Sequence, residues 1–122
     1  SGRSALMAIL YSLGIDKEDE ILLQAFTCNA ATNPILAVGA KPVFVDVNNT
    51  INIDPEDLEK KITPNAEAIM VQHTFGWPAQ MERILKVARE NELFLIEDCA
   101  HSLGAEYHNK KIGTVGDAAF FS

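Results

Sequence analysis

The chain has 122 residues, of which 48% are hydrophobic, so it can bury a single-domain core and is not disordered by composition. Its 17 acidic residues outnumber its 10 basic ones and give a net charge of −7, which argues against binding nucleic acid or an anionic membrane surface. No apolar run approaches the roughly 20 residues that span a bilayer.

The two cysteines, Cys28 and Cys99, lie far apart in the sequence. Their spacing is typical of neither a disulfide framework nor a zinc site. We therefore expect buried, reduced thiols in a cytoplasmic protein.

Helical and strand-like patterns alternate along the chain. In chain order, we predict a helix over 4–13, a strand within 19–26, a helix within 29–40, a strand over 41–47, a helix over 54–62, a strand over 66–73, an amphipathic helix over 78–92, a strand over 93–99 and a strand within 117–122. Because proline fits best in a first helical turn, Pro34 predicts that its helix begins near Thr32 or Asn33. The strands are continuous apolar runs, which predicts a mostly parallel sheet between two layers of helices, a three-layer α/β/α fold.

An acidic pair ends the strand over 93–99, where Glu97 and Asp98 follow four apolar residues. Ligands of parallel sheets bind at the carboxyl ends of the strands. A carboxylate buried there needs a cationic partner, such as a basic side chain, a metal ion or a protonated ring nitrogen of a ligand. Asp98 alternatively caps the turn before Ala100. Successive strand residues face opposite sides, so Glu97 and Asp98 are not predicted to form an acid and base pair.

Three further segments carry polar or aromatic groups toward the same edge of the sheet. The segment SGRSAL, residues 1–6, begins a helix, and its N-terminus favours a phosphate that Gly2 lets approach and Arg3 attracts, or it is an ordinary cap. Phe26 follows a strand and either stacks on a flat ligand ring or belongs to the core. Ser122 closes an apolar strand and either donates to an anion at this edge or lies in a loop.

The histidines do not predict a metal site. His73 follows a strand, where it either contacts a ligand or lies in a turn against which Trp77 packs. His73, His101 and His108 lack metal-type spacing with acidic residues, so we predict no metal.

Taken together, these groups suit a planar cationic ring that bears a phosphate. An isolated carboxylate, an aromatic side chain and a helix N-terminus would serve its nitrogen, its face and its phosphate. Pyridoxal phosphate is such a ligand.

Five segments, in their order, resemble the DegT/DnrJ/StrS family: SGRSAL, PVFVDV, HTFGWP, EDCAHSLGA and GDAAFFS. These are pyridoxal-phosphate-dependent aminotransferases of nucleotide-linked keto-sugars. The resemblance implies the large domain of the aspartate aminotransferase type of fold (fold type I), glutamate as the common amino donor, and a homodimer whose sites lie between subunits.

The resemblance also assigns roles around the ring. Asp98 is similar to the carboxylate that pairs with the pyridinium nitrogen. His101 stands where the family has Gln or His, beside the ring and its 3-hydroxyl. Phe26 is similar to the aromatic residue that stacks on the ring.

A second group of residues resembles the family's phosphate site. The turn of Gly2, Arg3 and Ser4 matches the phosphate-cradling turn, although the family often has Thr-Ala in place of Arg3-Ser4. Ser122 matches the serine that reaches the phosphate.

The Schiff-base lysine of the family lies shortly beyond the serine that Ser122 matches. We therefore expect residues 1–122 to be a partial cofactor-binding large domain, inactive alone, with the lysine segment and a small C-terminal domain outside it. The alternatives are a sugar dehydratase of the same family, with histidine in place of the lysine, and a non-catalytic regulatory homologue. A nucleotide-binding α/β domain without pyridoxal phosphate is disfavoured, because no GxGxxG or GKS/GKT loop follows a strand.

Overall fold

The computed structural model describes residues 1–122, which form a five-stranded parallel sheet in the order β2-β1-β3-β4-β7. These strands are β1 (Glu20–Gln24), β2 (Lys41–Val45), β3 (Ala66–Gln72), β4 (Phe94–Asp98) and β7 (Ala118–Phe120). The α-helices are α1 (Gly2–Ser12), α2 (Asn29–Ala37), α3 (Pro55–Lys61) and α4 (Met81–Glu90), and a 3₁₀ turn spans Thr74–Gly76. A short antiparallel hairpin joins β5 (Glu106–Tyr107) to β6 (Lys110–Lys111).

Two hydrophobic clusters, one on each face of the sheet, confirm the predicted α/β/α layers. On one face, Leu6 of α1 and Ile35 of α2 pack with Ile96 of β4. On the other face, Leu58 of α3 and Ile84 of α4 pack with Leu95 of β4 and its neighbours. Adjacent residues of β4 thus enter opposite cores, as the twofold repeat of a strand requires. None of the helices has the length and apolar character needed to cross a bilayer.

The start of α2 corrects the sequence prediction. The helix begins at Asn29 rather than near Thr32, and Pro34 lies inside it. Proline here removes the hydrogen bond that residue 34 would donate to the carbonyl of Ala30. Ala30 is exposed, so water can reach this end of the helix and offset part of that loss.

The amphipathic helix α4 is shorter than the predicted span of 78–92, and its buried face differs slightly from the predicted one. Met81, Ile84 and Ala88 are buried, and Val87 is buried with them, whereas Leu85 is only half-buried. The helix therefore packs against β4 through a slightly rotated face.

The parallel arrangement determines where a ligand can bind. Because all five strands run the same way, their last residues lie at one edge of the sheet: Gln24, Val45, Gln72, Asp98 and Phe120. The N-termini of α1 and α2 line clefts beside the same edge. The fold thus brings together the segments that the sequence nominated separately.

Candidate functional site

A cleft in two parts lies along the carboxyl edge of the sheet. The larger part has a volume of about 350 Å³ and the smaller about 210 Å³. Cys28, Asp98 and Ala100 line both parts, so the two parts adjoin at these residues. The larger part is otherwise lined by Ala25, Phe26, Thr27, Gln72 and His101. The smaller part is otherwise lined by Ser1, Gly2, Arg3, Ala30, Ala31, Phe120 and Ser122.

Asp98 presents one carboxylate oxygen to the cleft without a partner. Its side chain is almost buried, with 7% of the residue exposed. Oδ1 accepts the backbone N–H of Ala100 at 3.0 Å, whereas Oδ2 accepts no hydrogen bond. Burial raises the pKa of Asp98, and neither that hydrogen bond nor the nearby His101 and His73 offsets it. Asp98 therefore caps the turn, as one sequence alternative predicted, and also keeps an oxygen for a cationic partner.

The smaller part of the cleft has the features of an anion site at the N-terminus of α1. The backbone N–H groups of Gly2 and Arg3 have no acceptor. The next two N–H groups of the helix are bonded to Ser1: that of Ser4 to the hydroxyl and that of Ala5 to the backbone carbonyl. Gly2 packs closely against Ser122, because a Cβ at this position would lie 3.1 Å from Cβ and 3.3 Å from Oγ of Ser122. Free N–H groups, the helix dipole and a hydroxyl thus converge on one space.

Not all of the residues predicted to bind the phosphate line this space. Gly2, Arg3 and Ser122 line it, and Ser1 lines it as well. Ser4 does not, because its amide and hydroxyl are directed to the Ser1 hydroxyl, at 3.4 and 3.2 Å. Ser4 therefore shapes the turn through Ser1.

His101 is held in the larger part of the cleft by Phe75. The two rings stack with centroids 5.6 Å apart and planes 6° from parallel, and the Phe75 N–H points to His101 Nδ1 at 3.4 Å. Phe75 has a left-handed backbone (φ 53°), which is uncommon for a bulky residue and typical of functional sites. With Nδ1 as an acceptor, Nε2 of the neutral imidazole carries the proton.

Phe26 is not a core residue, because 49% of it is exposed and it lines only the larger part of the cleft. Its ring meets Phe75 edge to face, with centroids 6.3 Å apart. The core alternative for Phe26 is therefore wrong, and an aromatic edge borders the cleft.

Glu97 faces the opposite core and forms a different kind of site. Its Oε1 accepts the N–H groups of Val115 and Gly116, and its Oε2 accepts that of Gly113 and lies 3.2 Å from His73 Nε2. Burial raises the pKa of Glu97, but these four hydrogen bonds outweigh it and hold the pKa below its ordinary value. Glu97 thus fastens the loop of residues 113–116 to β4.

This arrangement decides between the two alternatives for His73 in the segment that follows β3, and it favours the turn. His73 does not reach the cleft, since it is fully buried and its Nδ1 accepts the Ala79 N–H at 3.1 Å. Trp77, which was predicted to pack against this turn, is 65% exposed. Donor atoms of His73, Glu97 and Cys99 lie within 4.8 Å of one another, but Glu97 and His73 already have hydrogen-bond partners in the protein.

The cysteines differ, and the expectation of two buried thiols is half correct. Cys99 is buried, whereas Cys28 is exposed in the cleft. Cys28, Gln72 and Ala100 were not predicted as site residues. Each lies at or just beyond the carboxyl end of a strand, which was the available signal.

Known proteins resemble this chain over all or nearly all of its length. A GDP-perosamine synthase from Escherichia coli O157:H7 is 42% identical over 123 aligned residues, covering 100% of this chain and 34% of that protein. The structure of an aminotransferase from Psychrobacter cryohalolentis matches with a TM-score of 0.97 and 35% identity, covering 99% of this chain and 31% of that one. NtdA from Bacillus subtilis with bound cofactor PMP matches with a TM-score of 0.86 and 34% identity, covering 93% of this chain and 26% of that one.

These likenesses confirm the predicted fold type, since the structural neighbours are aminotransferases of fold type I. The chain spans about a third of the length of the curated relatives it matches. The model of the DegT/DnrJ/EryC1/StrS aminotransferase family matches residues 1–122. The chain therefore belongs to the DegT/DnrJ/EryC1/StrS aminotransferase family.

Proposed function

We propose that this chain is part of a pyridoxal-phosphate-dependent aminotransferase that moves an amino group from glutamate to a nucleotide-linked keto-sugar. The amino acid leaves as its 2-oxo acid, and the keto-sugar leaves as an amino-sugar. The observation that carries the proposal is the two-part cleft, which is lined by Asp98, an almost buried residue with one unpaired carboxylate oxygen, and has unpaired helix N–H groups at one end. The name of the E. coli relative supports a nucleotide-linked sugar as the substrate.

The cleft fits pyridoxal phosphate on three counts. Asp98 Oδ2 is an acceptor in need of a cation, which a protonated ring nitrogen supplies. The free N–H groups of Gly2 and Arg3 suit the phosphate, with Ser122 beside them. The absence of a side chain at Gly2 leaves the room that the phosphate requires.

When bound, pyridoxal phosphate acts as an electron sink for the carbon that exchanges its proton during amino transfer. Asp98 would keep the ring nitrogen protonated, because an ion pair in a poorly solvated cleft stabilises the charged form. His101, which lines the larger part of the cleft, would donate its Nε2–H to an oxygen substituent of the ring. Phe26 lines the same part and would be the aromatic residue predicted to stack on the ring.

The proposal includes the remainder of the enzyme. Residues 1–122 are part of the cofactor-binding large domain, and the Schiff-base lysine and a small C-terminal domain belong to other segments. The coverage of about a third of each curated relative supports this view. Exposed apolar side chains, such as Leu103 at 86% exposure and Phe75 at 72%, suit cover by those segments or by a second subunit of a cytoplasmic homodimer.

Isotopic labelling tests the function. The full-length protein, loaded with pyridoxal phosphate, is incubated with amine-labelled glutamate and a GDP- or dTDP-linked keto-sugar. We expect the label on the sugar, detected by mass spectrometry. A deoxygenated sugar without label would indicate the dehydratase instead. Failure to bind pyridoxal phosphate at all would contradict the cofactor and favour a regulatory homologue.

A further inference from the structure

Asn52 is fully buried, and its side chain makes hydrogen bonds to both ends of the turn that follows β3. Its Oδ1 accepts the backbone N–H of Thr74 at 2.8 Å, and its Nδ2 donates to the backbone carbonyl of Trp77 at 2.9 Å. The 3₁₀ turn over Thr74–Gly76 is thereby fastened at its first residue and at the residue that follows it. A single side chain thus fixes the separation of the two ends.

The loop that carries Asn52 makes further contacts with the same turn. Ile51 has a left-handed backbone (φ 61°), which is an outlier for a β-branched residue. In this conformation the Ile51 carbonyl accepts hydrogen bonds from the Thr74 hydroxyl at 3.0 Å and from Gln24 Nε2 at 3.1 Å. Backbone strain of this kind persists only where surrounding contacts hold it, and it clusters at functional sites. The loop therefore fixes the turn as well as connecting β2 to α3.

Phe75, inside the turn, links the turn to the cleft. Its ring stacks on His101 and meets Phe26 edge to face, and both of those residues line the larger part of the cleft. Because Phe75 is largely exposed, burial of its side chain does not hold it in place. Its backbone is held instead by the turn, whose first residue, Thr74, is buried and bonded to the loop. Gly76 brings the turn close to His101 as well, since a Cβ at Gly76 would lie 3.2 Å from the His101 carbonyl oxygen.

We propose that Asn52 is a positioning residue for His101 and acts through the turn and Phe75. This inference rests on the proposed function, in which His101 would donate its Nε2–H to a ring oxygen. The Phe75 N–H points to His101 Nδ1 at 3.4 Å, a long hydrogen bond, so a shift of about half an ångström in the turn would break it. His101 would then lose both its stacking partner and the donor at Nδ1 that keeps its proton on Nε2. Asn52 itself lines neither part of the cleft.

The first experiment observes His101 by NMR in the full-length protein freed of cofactor. Histidine is labelled isotopically, and the His101 imidazole resonances are those absent from the spectrum of His101→Ala. Phe75→Ala removes the stacked ring, so it gives the reference resonances of an unstacked His101. Asn52→Ala retains that ring, and we expect its His101 resonances to move most of the way to the reference because the turn has shifted. Leu58→Ala, a fully buried change in α3, is the control for lost stability and should leave the resonances unmoved.

The second experiment is a double-mutant cycle on the Kd for pyridoxamine phosphate, measured by equilibrium dialysis. We expect Asn52→Ala to raise the Kd by about 3- to 10-fold, the value of one hydrogen bond. In the His101→Ala background the same change should alter the Kd by less than about twofold, because its effect passes through His101. Asn52→Ser is the second variant where alanine prevents folding, since its hydroxyl and a water molecule satisfy the two ends of the turn without fixing their separation.

Three results would overturn this inference alone. The first is unmoved His101 resonances in the Asn52 variants, and the second is an equal loss of affinity in the two backgrounds. The third is an effect of Leu58→Ala as large as that of Asn52→Ala, since lost stability would then explain both. Failure of the wild-type protein to bind pyridoxamine phosphate would overturn the proposed function together with it.

Discussion

Glu97 and Asp98 are adjacent carboxylates at the end of β4 with opposite surroundings. Glu97 accepts three backbone N–H groups and lies against the buried His73, and its pKa lies below the ordinary value. Asp98 accepts one backbone N–H, keeps an oxygen free, and has a raised pKa because of burial. Successive residues of β4 face opposite sides of the sheet, so two carboxylates that are adjacent in sequence have different surroundings.

The difference indicates what each carboxylate does. A buried charge that the protein itself satisfies stabilises the fold around it, whereas a buried charge left half-satisfied costs free energy until a partner arrives. On this view, Glu97 is a structural residue and Asp98 is a ligand-binding residue. The following predictions test that division.

The largest effect is expected for Asp98→Asn, which keeps the acceptor for Ala100 but removes the charge. We expect turnover of the full-length enzyme to fall by roughly 10²- to 10⁴-fold, the usual contribution of a group that controls a proton in the transition state. The free energy of unfolding should stay within about 0.5 kcal/mol of wild type, because a neutral amide avoids the cost of burying a charge. Steady-state kinetics and urea unfolding of the same sample measure both. A loss of stability with activity retained would reverse the roles.

Glu97→Gln is the matched change at the neighbouring position. A glutamine amide would place a donor against backbone N–H groups that now find an acceptor. We expect the free energy of unfolding to fall by about 3 kcal/mol, which is typical when one partner of a buried charged network is lost. Urea unfolding measures this loss, and Glu90→Gln on the exposed surface of α4 is the control. Unchanged stability would mean that the Glu97 network contributes little.

Gly2→Ala tests the proposed phosphate site at the N-terminus of α1. The new Cβ would lie 3.1 Å from Ser122 Cβ, so Ser122 must shift and the anion site must narrow. We expect the Kd for pyridoxamine phosphate to rise by about 10-fold, or about 1.4 kcal/mol, with little change in unfolding. Ser12→Ala, on the same helix and away from the cleft, should leave the Kd unchanged. Equal affinity of Gly2→Ala and wild type would place the phosphate elsewhere.

The smallest effect is expected in the pH dependence of stability. The folded pKa of Glu97 is lowered, so its contribution is present above its unfolded pKa, near 4.5, and is lost as pH falls through the folded pKa. The contribution of Asp98 to stability changes with pH in the opposite direction. Its folded pKa is raised, so taking up a proton at pH values near and above its ordinary pKa of 3.8 favours the folded state. Urea unfolding between about pH 7 and about pH 3 should therefore show a shallower acid loss in Glu97→Gln and a steeper one in Asp98→Asn. Parallel curves for all three proteins would contradict the assignment.

Much of this picture could be predicted from the sequence, because its signals are local. Continuous apolar runs indicated the parallel sheet, and the acid at the end of β4 indicated Asp98 as a site residue. The twofold repeat of the strand also predicted that Glu97 would face away from it. The cap at Asp54, followed by Pro55, located the start of α3.

The rest depended on contacts between distant segments. The hydrogen bonds of Glu97 reach residues 16 to 24 positions away, to loops with no periodic pattern. Pro34 lies inside α2 because packing against the sheet overrides a local preference, with Ile35 fully buried beside it. Phe75, which stacks on His101, has a left-handed backbone. Glycine is the only residue type in HTFGWP that predicts such a backbone, so the sequence did not indicate it at Phe75.

The most direct test of the division between Glu97 and Asp98 is the Kd of the full-length protein for pyridoxamine phosphate. This ligand has no aldehyde for a lysine to capture, so its Kd reports non-covalent contacts alone. Equilibrium dialysis compares wild type, Asp98→Asn and Glu97→Gln at a temperature where all three are folded. We expect a loss of about 10- to 100-fold for Asp98→Asn, the value of a hydrogen bond to a charged group, and a change within about threefold for Glu97→Gln. Wild-type affinity in Asp98→Asn would contradict it.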